Sequence, residues 1–474
     1  MMRYLLFIFL LEAPFLGKAQ NKILYYSEPP ADFAIAKISK QALEKDMQWW
    51  QLTMEESHVN LYHAMTKAAL QQLQKELLRE LPDSVTHAQA SFAISRLIGS
   101  LNEAHLGFAT NAVIDSVYSY EAIRFPYLIA GVDDRAFIVE RDLSSLNKLP
   151  PFSRIVEVNN TPVQQLYDKY SKFYGGLEAW KKLQVKGQIR KLLFMDGIRS
   201  PFKIKAVILN DTLEFTVNGF TRKQADSLSK TLAVSGSSVP PFSLRFLNDT
   251  IAHIEFNSMD GGLKDSFAFF LQHSFTEIRK RKIKGIIIDL RKNGGGDSGL
   301  GDMMLDYINS KPYRNMSSVK IRISKHSKAY ANLRGIDDSF KNKGNGELYE
   351  YKVKNLMQPK KNPIRFTGKV AVLIGTGTFS SANMLANAIK DYGLATLIGE
   401  STAEPANDFG EIFSFMLPHT HIVAAGAFKM FTRANGNEKD FDGIKPDIEV
   451  KNSLADVEAK RDRVMGKAVE WVKE

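Results

Sequence analysis

The sequence predicts an α/β protein with a helical N-terminal region, a β-rich module, and a larger C-terminal core in which strands and helices alternate. Three observations support this. Helical apolar spacing dominates the chain before Leu101, and short β-branched runs follow it. From Ile251 onward, apolar runs without alternation are separated by amphipathic segments, a pattern typical of buried parallel strands joined by crossover helices.

The chain opens with two methionines and an arginine, followed by an apolar run from Tyr4 to Leu11 and then by the segment Gly17-Lys18-Ala19-Gln20. A charged start, an apolar stretch too short to span a bilayer and a small-residue cleavage site are typical of a signal peptide. We therefore expect residues 1–20 to be a signal peptide and the mature protein to be exported, periplasmic or secreted, without a stable membrane span. A retained membrane anchor is the alternative.

The composition excludes several classes of protein. The chain has no cysteine, so disulfides and thiolate chemistry are excluded, while a hydrophobic content of 44% is enough for a core. The net charge of +11 comes from basic residues spread along the chain. Its densest cluster, Arg279 to Lys282, precedes a predicted buried strand, and no nucleic-acid-binding motif accompanies it. We therefore predict no nucleic-acid partner.

Residues 21–115 are predicted to be helical. Apolar side chains recur at four-residue steps from Leu61 to Leu77, which gives one apolar stripe, and Pro82 ends this helix. A second helix is predicted to begin with a capping box from Thr86 to Gln89 and to end beside His105.

Between residues 120 and 234 the pattern changes to short β-type runs such as Tyr127 to Val132. The line LPPFSRIVEVNNTPV, from Leu149 to Val163, resembles the corresponding line of PDZ domains. Such domains capture an extended peptide at the edge of a sheet. Residues 120–234 are therefore predicted to be a PDZ-like module, and a plain β-rich spacer is the alternative.

A linker rich in Ser, Gly and Pro precedes the predicted core, residues 241–474. Alternation of strands with helices predicts a parallel sheet in this region. The predicted strands are Ile251–Phe256, Gly285–Leu290, Val370–Ile374 and Ala395–Ile398, and the predicted helices are Ser266–Arg279, Ser298–Ile308 and Ser380–Asp391.

Two strand ends in this core indicate chemistry. One predicted strand leads into the glycines Gly294–Gly296, and another leads into Ser380 at the start of a helix. Glycines let backbone amides face a ligand, and the N-terminus of a helix favours negative charge. Together they predict a serine nucleophile with an oxyanion hole. The alternative for Ser380 is a helix N-cap, a role that serine often takes.

Four blocks, in this order, resemble the C-terminal processing (tail-specific) serine peptidases, a family that includes the tricorn core protease and the interphotoreceptor retinoid-binding repeats. They are HVNLYHAM with LIGSLNEAHLGF from His58 and Leu97, GIIIDLRKNGGG from Gly285, GKVAVLIGTGTFSSANMLANAIKDYGLATLIGE from Gly368, and DGIKPDIEV from Asp442. The resemblance implies a ClpP/crotonase-like core that hydrolyses peptide bonds in unstructured polypeptides or protein tails, without a metal or an organic cofactor.

The resemblance also implies the site residues. Ser380 stands at the nucleophile's position, and Gly294, Gly295 and the amide of Ser381 are then the oxyanion donors. Where lysine-dependent members carry their base, this chain has Pro405. It therefore looks like the tricorn-type branch, in which a histidine is the base.

In that branch the base is His105 here, and the acidic residue that orients it is Asp440, with Asp442 as a competitor. The chain departs from the family's Asp-x-His-Thr line, because it has Glu-Ala-His-Leu there.

Two other functions stay open. One is dinucleotide binding by the glycine-containing turn before Ser380 together with Glu400. The other is a non-catalytic peptide- or lipophile-binding protein on the same fold.

Overall fold

The computed structural model describes residues 23–474 except 121, 134, 210, 225–226, 228–238 and 336–338. The predicted signal peptide, residues 1–20, lies outside these residues. The chain divides into two compact units. The first unit contains the described residues before Val239 with Ile321–Tyr349 and Glu411–Lys429, and the second contains Val239–Lys320, Glu350–Gly410 and Met430–Glu474.

The α-helices of the described residues are α1 (Lys40–Ser57), α2 (Lys67–Glu80), α3 (His87–Gly99), α4 (Ala112–Tyr120), α5 (Val163–Tyr170), α6 (Glu178–Met195), α7 (Lys264–Lys280), α8 (Ser298–Ile308), α9 (Lys325–Leu333), α10 (Ser381–Tyr392), α11 (Leu454–Glu458) and α12 (Arg463–Lys473). Short 3₁₀ helices cover Ser171–Phe173, Gly261–Leu263 and Ser339–Asn342. Among these described helices, none is both long enough and apolar enough to cross a membrane.

The strands are β1 (Ile23–Leu24), β2 (Ile38–Ser39), β3 (Ser84–Val85), β4 (Gly107–Ala109), β5 (Tyr127–Val132), β6 (Phe137–Asp142), β7 (Arg154–Val158), β8 (Thr161–Pro162), β9 (Phe202–Ile208), β10 (Asp211–Val217), β11 (Phe242–Phe246), β12 (Ile251–Phe256), β13 (Gly285–Asp289), β14 (Ser318–Arg322), β15 (Leu348–Lys352), β16 (Lys369–Ile374), β17 (Thr396–Gly399), β18 (Asp408–Met416), β19 (Val423–Thr432) and β20 (Ile448–Glu449).

The first unit begins with the short strands β1 and β2, and the helices α1 to α4 follow, with the short strands β3 and β4 among them. The predicted capping box at the start of α3 is confirmed, because the Thr86 hydroxyl accepts the Gln89 amide and the Gln89 side chain accepts the Thr86 amide. The apolar stripe that begins at Leu61 does not form one helix, since residues 58–66 are not helical. The Thr66 hydroxyl caps α2 and so starts a new helix at that point.

The β-rich part of the first unit is an antiparallel sheet with the strand order β10-β9-β7-β6-β5, and β8 pairs with β7. Helices α5 and α6 contribute to its core, in which Ile155, Val185 and Leu193 are fully buried. This sheet lies within the predicted module 120–234, and its PDZ-like character stays a prediction. A further sheet has the order β1-β18-β19-β14-β15, with β4 paired to β19.

The second unit is built on a sheet with the order β11-β12-β13-β16-β17-β20. All neighbouring pairs are parallel except β11 with β12. Successive residues of β13 face opposite cores: Ile286 and Ile288 pack with α7, α8 and α10, whereas Ile287 packs with α12. This burial on both faces explains why the strands appear in the sequence as continuous apolar runs. The predicted α/β class is confirmed.

The pairing of β13 with β16 brings the ends of these two strands together. The Leu290 amide donates to the Leu373 carbonyl at 2.9 Å, and the buried Thr378 hydroxyl donates to the Leu290 carbonyl at 2.9 Å. Since carboxyl ends of parallel strands meet at one edge, the two loops that carry the predicted site leave the sheet side by side.

An ion-pair network anchors α12 at the same edge. The Arg291 guanidinium binds Asp289 at 2.7 Å and Asp462, the N-cap residue of α12, at 2.9 Å. Burial alone would raise the pKa of Asp289. The His253 ring and the Arg291 guanidinium outweigh it and lower the pKa of this carboxyl below its ordinary range.

We expect Asp289→Asn to lower the free energy of unfolding by about 2 kcal/mol at pH 7, because the substitution removes a carboxylate held by Arg291. A carboxyl with a lowered pKa stabilises the fold above its unfolded pKa, about 4, and this contribution is lost as the pH falls below that value. Urea unfolding of both proteins at pH 7 and pH 3 measures the difference, which should be smaller at pH 3. A difference in unfolding free energy that grows at low pH would contradict a lowered pKa of Asp289 in the folded protein.

Candidate active site

Ser380 lies where the loop after β16 enters α10. Its backbone has φ 53° and ψ −125°, a conformation that residues other than glycine rarely adopt. Holding it there costs about 1–3 kcal/mol, and such strained turns between a strand and a helix are typical of serine nucleophiles. The Ser380 side chain makes no capping hydrogen bond to α10. The alternative of a simple helix cap therefore does not describe this serine.

The glycine loop after β13 packs against the Ser380 turn. Gly295 has a φ of 91°, and a Cβ placed on it would lie 2.7 Å from the Ser380 Cβ and 2.8 Å from the Ser381 amide nitrogen. The Ser381 hydroxyl donates to the Gly296 carbonyl at 2.6 Å. Only glycine allows the loop to lie so close to the predicted nucleophile.

The fully buried Asn293 determines which amides of this loop are available. Its Oδ1 accepts the Gly295 amide at 2.9 Å, and its Nδ2 donates to the Phe256 carbonyl at 2.9 Å. Its backbone carbonyl accepts the Phe379 amide at 3.0 Å. The Gly295 amide is therefore already engaged, whereas the Gly294 amide has no acceptor among the described residues. A Cβ on Gly294 would also meet nothing within 4 Å, so this residue faces open space.

The Ser381 amide is the other predicted donor that is available. It belongs to the first turn of α10, and within the described part of the chain no group accepts it. Unpaired amides and the dipole at a helix N-terminus favour negative charge. Of the three predicted oxyanion donors, the amides of Gly294 and Ser381 can bind a ligand oxygen, while the Gly295 amide shapes the loop.

A carboxyl that was not predicted from the sequence lies beside Ser380. Glu404 is fully buried, and its carboxyl accepts the Ser380 amide. Burial raises the pKa of Glu404 well above its ordinary range, and the charge of Asp408 and a hydrogen bond with it act in the same direction. Burial and the neighbouring Asp408 carboxyl thus both favour the protonated form of Glu404.

The sequence contains one signal for Glu404. It directly precedes Pro405, the position at which the family resemblance places the base of lysine-dependent members. An ionisable side chain next to that position is a candidate for the same part of the site.

The Asp440 carboxylate lies in a different environment within the second unit. It accepts a hydrogen bond from the Arg433 guanidinium, which also pairs with Asp391. The Asp440 backbone carbonyl accepts from Asn407. The competitor Asp442 has a side chain that is 74% exposed. These contacts give Asp440 a structural partner and leave Asp442 in solvent.

His105, the predicted base, belongs to the first unit, where it is buried between α3 and β4. Two residues before it, the buried Glu103 carboxylate binds the buried His58 ring at 2.6 Å. The Asn60 amide donates to His58 Nδ1, so the proton on Nε2 is the one directed at Glu103. A Cβ on Gly175 would lie 2.2 Å from the Glu103 amide nitrogen. The segment before His105 is therefore firmly held.

We expect Gly295→Ala to abolish labelling of Ser380 by a fluorophosphonate probe, because the added methyl group would displace Ser380. The matched control is Gly346→Ala. Gly346 has a similar φ of 87°, but a Cβ there meets nothing within 4 Å. Both variants carry the same backbone strain, so only the contact with Ser380 differs. Equal labelling of the two variants would show that the close approach does not matter.

Comparison with known proteins bears on the family and the fold of the chain. The profile of peptidase family S41 matches residues 250–450. The structure of mature CPAF is 14% identical, has a TM-score of 0.62, and the match covers 92% of this chain and 96% of that chain. The structure of a CPAF mutant is 15% identical with a TM-score of 0.65 and the same coverage. At this level of identity the similarity shows a shared fold. No protein with a curated description matches the chain. The segment 250–450 is therefore a peptidase family S41 domain, which confirms the prediction of a serine peptidase of the C-terminal processing type.

Proposed function

We propose that this chain is an exported peptidase that hydrolyses peptide bonds in unstructured polypeptides or protein tails, with Ser380 as nucleophile, His105 as general base and Glu404 as the acidic member. The turn at Ser380 is the observation that carries the proposal. It combines a strained backbone, a glycine loop at contact distance and a buried carboxyl on the serine amide. A serine that only caps a helix needs none of these features. Export rests on the sequence of residues 1–20.

The chemistry follows from these roles. The Ser380 Oγ attacks the scissile carbonyl carbon while His105 takes the hydroxyl proton, so a C–O bond forms and the carbonyl oxygen becomes an oxyanion. The amides of Gly294 and Ser381 hold that oxyanion. The imidazolium then gives its proton to the leaving amine as the C–N bond breaks, and water repeats the sequence to release the acyl group. The assignment of His105 rests on the family resemblance.

Glu404 takes the acidic role that the family resemblance implied for Asp440. The Asp440 carboxylate is already paired with Arg433, whereas Glu404 contacts the nucleophile's own backbone. Glu404 also interacts with a second carboxyl, that of Asp408. Negative charge on this pair would stabilise the imidazolium that forms when Ser380 is deprotonated.

We further propose that the module 120–234 captures the substrate as an extended strand. β5 lies at the edge of its sheet, and α6 packs beside it. An edge strand beside a helix is suited to peptide binding by β-augmentation, because its unpaired backbone groups can pair with the peptide.

A non-catalytic binding protein is the second candidate, because the residues around His105 depart from the family pattern. Labelling by a fluorophosphonate separates the two candidates. An activated serine reacts, and an unactivated one does not.

We expect Ser380→Ala to reduce cleavage of an unfolded protein by about 10⁶-fold without loss of folding, because nucleophile and base act as one unit. Ser380→Gly should be equally inactive but more stable than wild type by about 1 kcal/mol, since glycine adopts a φ of 53° without strain. Ser381→Ala should be much milder because it keeps the amide. Rates and thermal melts measure these effects. Full activity in Ser380→Ala would show that the nucleophile is another residue.

We expect the rate to rise with pH through one ionisation, ordinarily near about 6.5 for a histidine base. His105→Gln should remove this limb with most of the rate. Glu404→Gln should lower the rate by about 10²- to 10⁴-fold, because an orienting group transfers no proton. Asp440→Asn should lower stability more than rate, since its carboxylate binds Arg433. Initial rates between pH 5 and pH 9 test this. An unchanged profile in His105→Gln would exclude His105, and a larger rate loss in Asp440→Asn than in Glu404→Gln would restore Asp440.

A further inference from the structure

We propose that Asn383 and Asn387 are positioning residues. They bind the loop that carries Glu404 and so hold the Glu404 carboxyl beside Ser380. We call these two contacts the clamp. The two amides lie one turn apart on α10, the helix that starts directly after Ser380. This inference rests on the proposed role of Glu404. Neither asparagine belongs to the site residues that the sequence predicted.

The contacts of the two asparagines are specific. Asn383 Nδ2 donates to the Pro405 carbonyl at 2.8 Å, and Asn387 Nδ2 donates to the Ala406 carbonyl at 3.1 Å. Residues four apart lie on the same face of a helix, so both amides face one short stretch of chain. That stretch directly follows Glu404. Helix α10 therefore begins directly after the nucleophile and also carries the two asparagines that bind the Glu404 loop.

The other side of the same loop is tied to the chain before β20. The Ala406 amide donates to the Asp442 carbonyl at 2.8 Å, and the Thr402 amide donates to the Ile444 carbonyl at 3.2 Å. The Thr402 hydroxyl donates to the Glu404 carbonyl at 3.1 Å. These bonds fix the loop along its length, while the two asparagines set its distance from α10.

The two asparagines have an energetic cost, because each buries a polar atom that has no hydrogen-bond partner in the part of the chain that the structure describes. This cost argues that they do more than fill the core. Asn383 and Asn387 are only 3% and 2% exposed, yet within the described residues neither Oδ1 has a hydrogen-bond partner. A buried acceptor without a donor costs about 1–3 kcal/mol. Their neighbours on α10, Ala382, Leu385 and Ala386, fill the adjoining core with apolar side chains. What the asparagines add is two directed N–H bonds to the loop.

The clamp should affect the chemical step rather than substrate binding. A displacement of about 1 Å at a catalytic group can cost about 10²-fold in rate. The amides of Asn383 and Asn387 are directed at backbone carbonyls of the loop and not at the Ser380 hydroxyl. We therefore expect a lower kcat with an unchanged KM when either amide is removed.

The test is a double-mutant cycle of Asn383→Ala with Glu404→Gln, measured as kcat and KM on an unfolded protein at equal concentrations of folded enzyme. Asn383→Ala should lower kcat by about tenfold or more with KM within about twofold, and in the Glu404→Gln background it should have no further effect. Asn387→Ala gives a second, independent cycle if Asn383→Ala does not fold. The matched control is Asn309→Ala. Asn309 is 3% exposed and its Nδ2 donates to the Lys311 carbonyl at 2.7 Å after α8.

The Asn309→Ala control should lower Tm and leave kcat unchanged. Three results would overturn the clamp. The first is an unchanged kcat in the Asn383 and Asn387 variants, and the second is an equal loss of kcat in the Asn309→Ala control. The third is a full additional loss of kcat when Asn383→Ala is added to Glu404→Gln. Wild-type kcat in Glu404→Gln alone would instead overturn the proposed role of Glu404, and with it the route by which the clamp acts. The single variants thus separate the two failures.

Discussion

The close approach of the glycine loop to the Ser380 turn is the constraint on which the proposed site depends. It is possible because β13 and β16 are adjacent parallel strands, paired from Gly285 with Lys369 to Asp289 with Leu373. Their carboxyl ends therefore lie side by side, and both loops leave the sheet at the same edge. A Cβ on Gly295 would clash with the Ser380 Cβ, which would lie only 2.7 Å away. The pairing of β13 with β16 brings the two loops near each other, and the absence of a side chain at Gly295 lets them come into contact.

The strain at Ser380 must be balanced by its surroundings. A conformation at φ 53° costs about 1–3 kcal/mol, and each net hydrogen bond contributes about 1 kcal/mol. Two such bonds are made at the turn: the Asn293 carbonyl accepts the Phe379 amide, and the Glu404 carboxyl accepts the Ser380 amide. A few bonds of this size are enough to hold the turn. The conformation of the Ser380 turn thus depends on the buried polar groups Asn293 and Glu404 on neighbouring loops.

Patterns that depend on local chemistry could be predicted from the sequence. The apolar runs of the core identified its parallel strands, because burial on both faces removes alternation, and Thr86 and Gln89 identified the start of α3. Glu404 could not be predicted in this way. Its place beside Ser380 depends on a loop whose position is set by hydrogen bonds to residues about forty positions later, such as Asp442 and Ile444. Asp440 looked suitable by position, but nothing local revealed that Arg433 would take its carboxylate.

Helix α10 connects these features. Its first turn offers the Ser381 amide, its buried face carries Asn383 and Asn387, and its last turn carries Asp391, which pairs with Arg433. Arg433 in turn holds Asp440, at the start of the segment that supports the Glu404 loop from the other side. A single rigid helix therefore ties the nucleophile's turn to both supports of the buried carboxyl. Because a helix resists bending, a shift of either support would be transmitted to the turn at Ser380 rather than absorbed along the way.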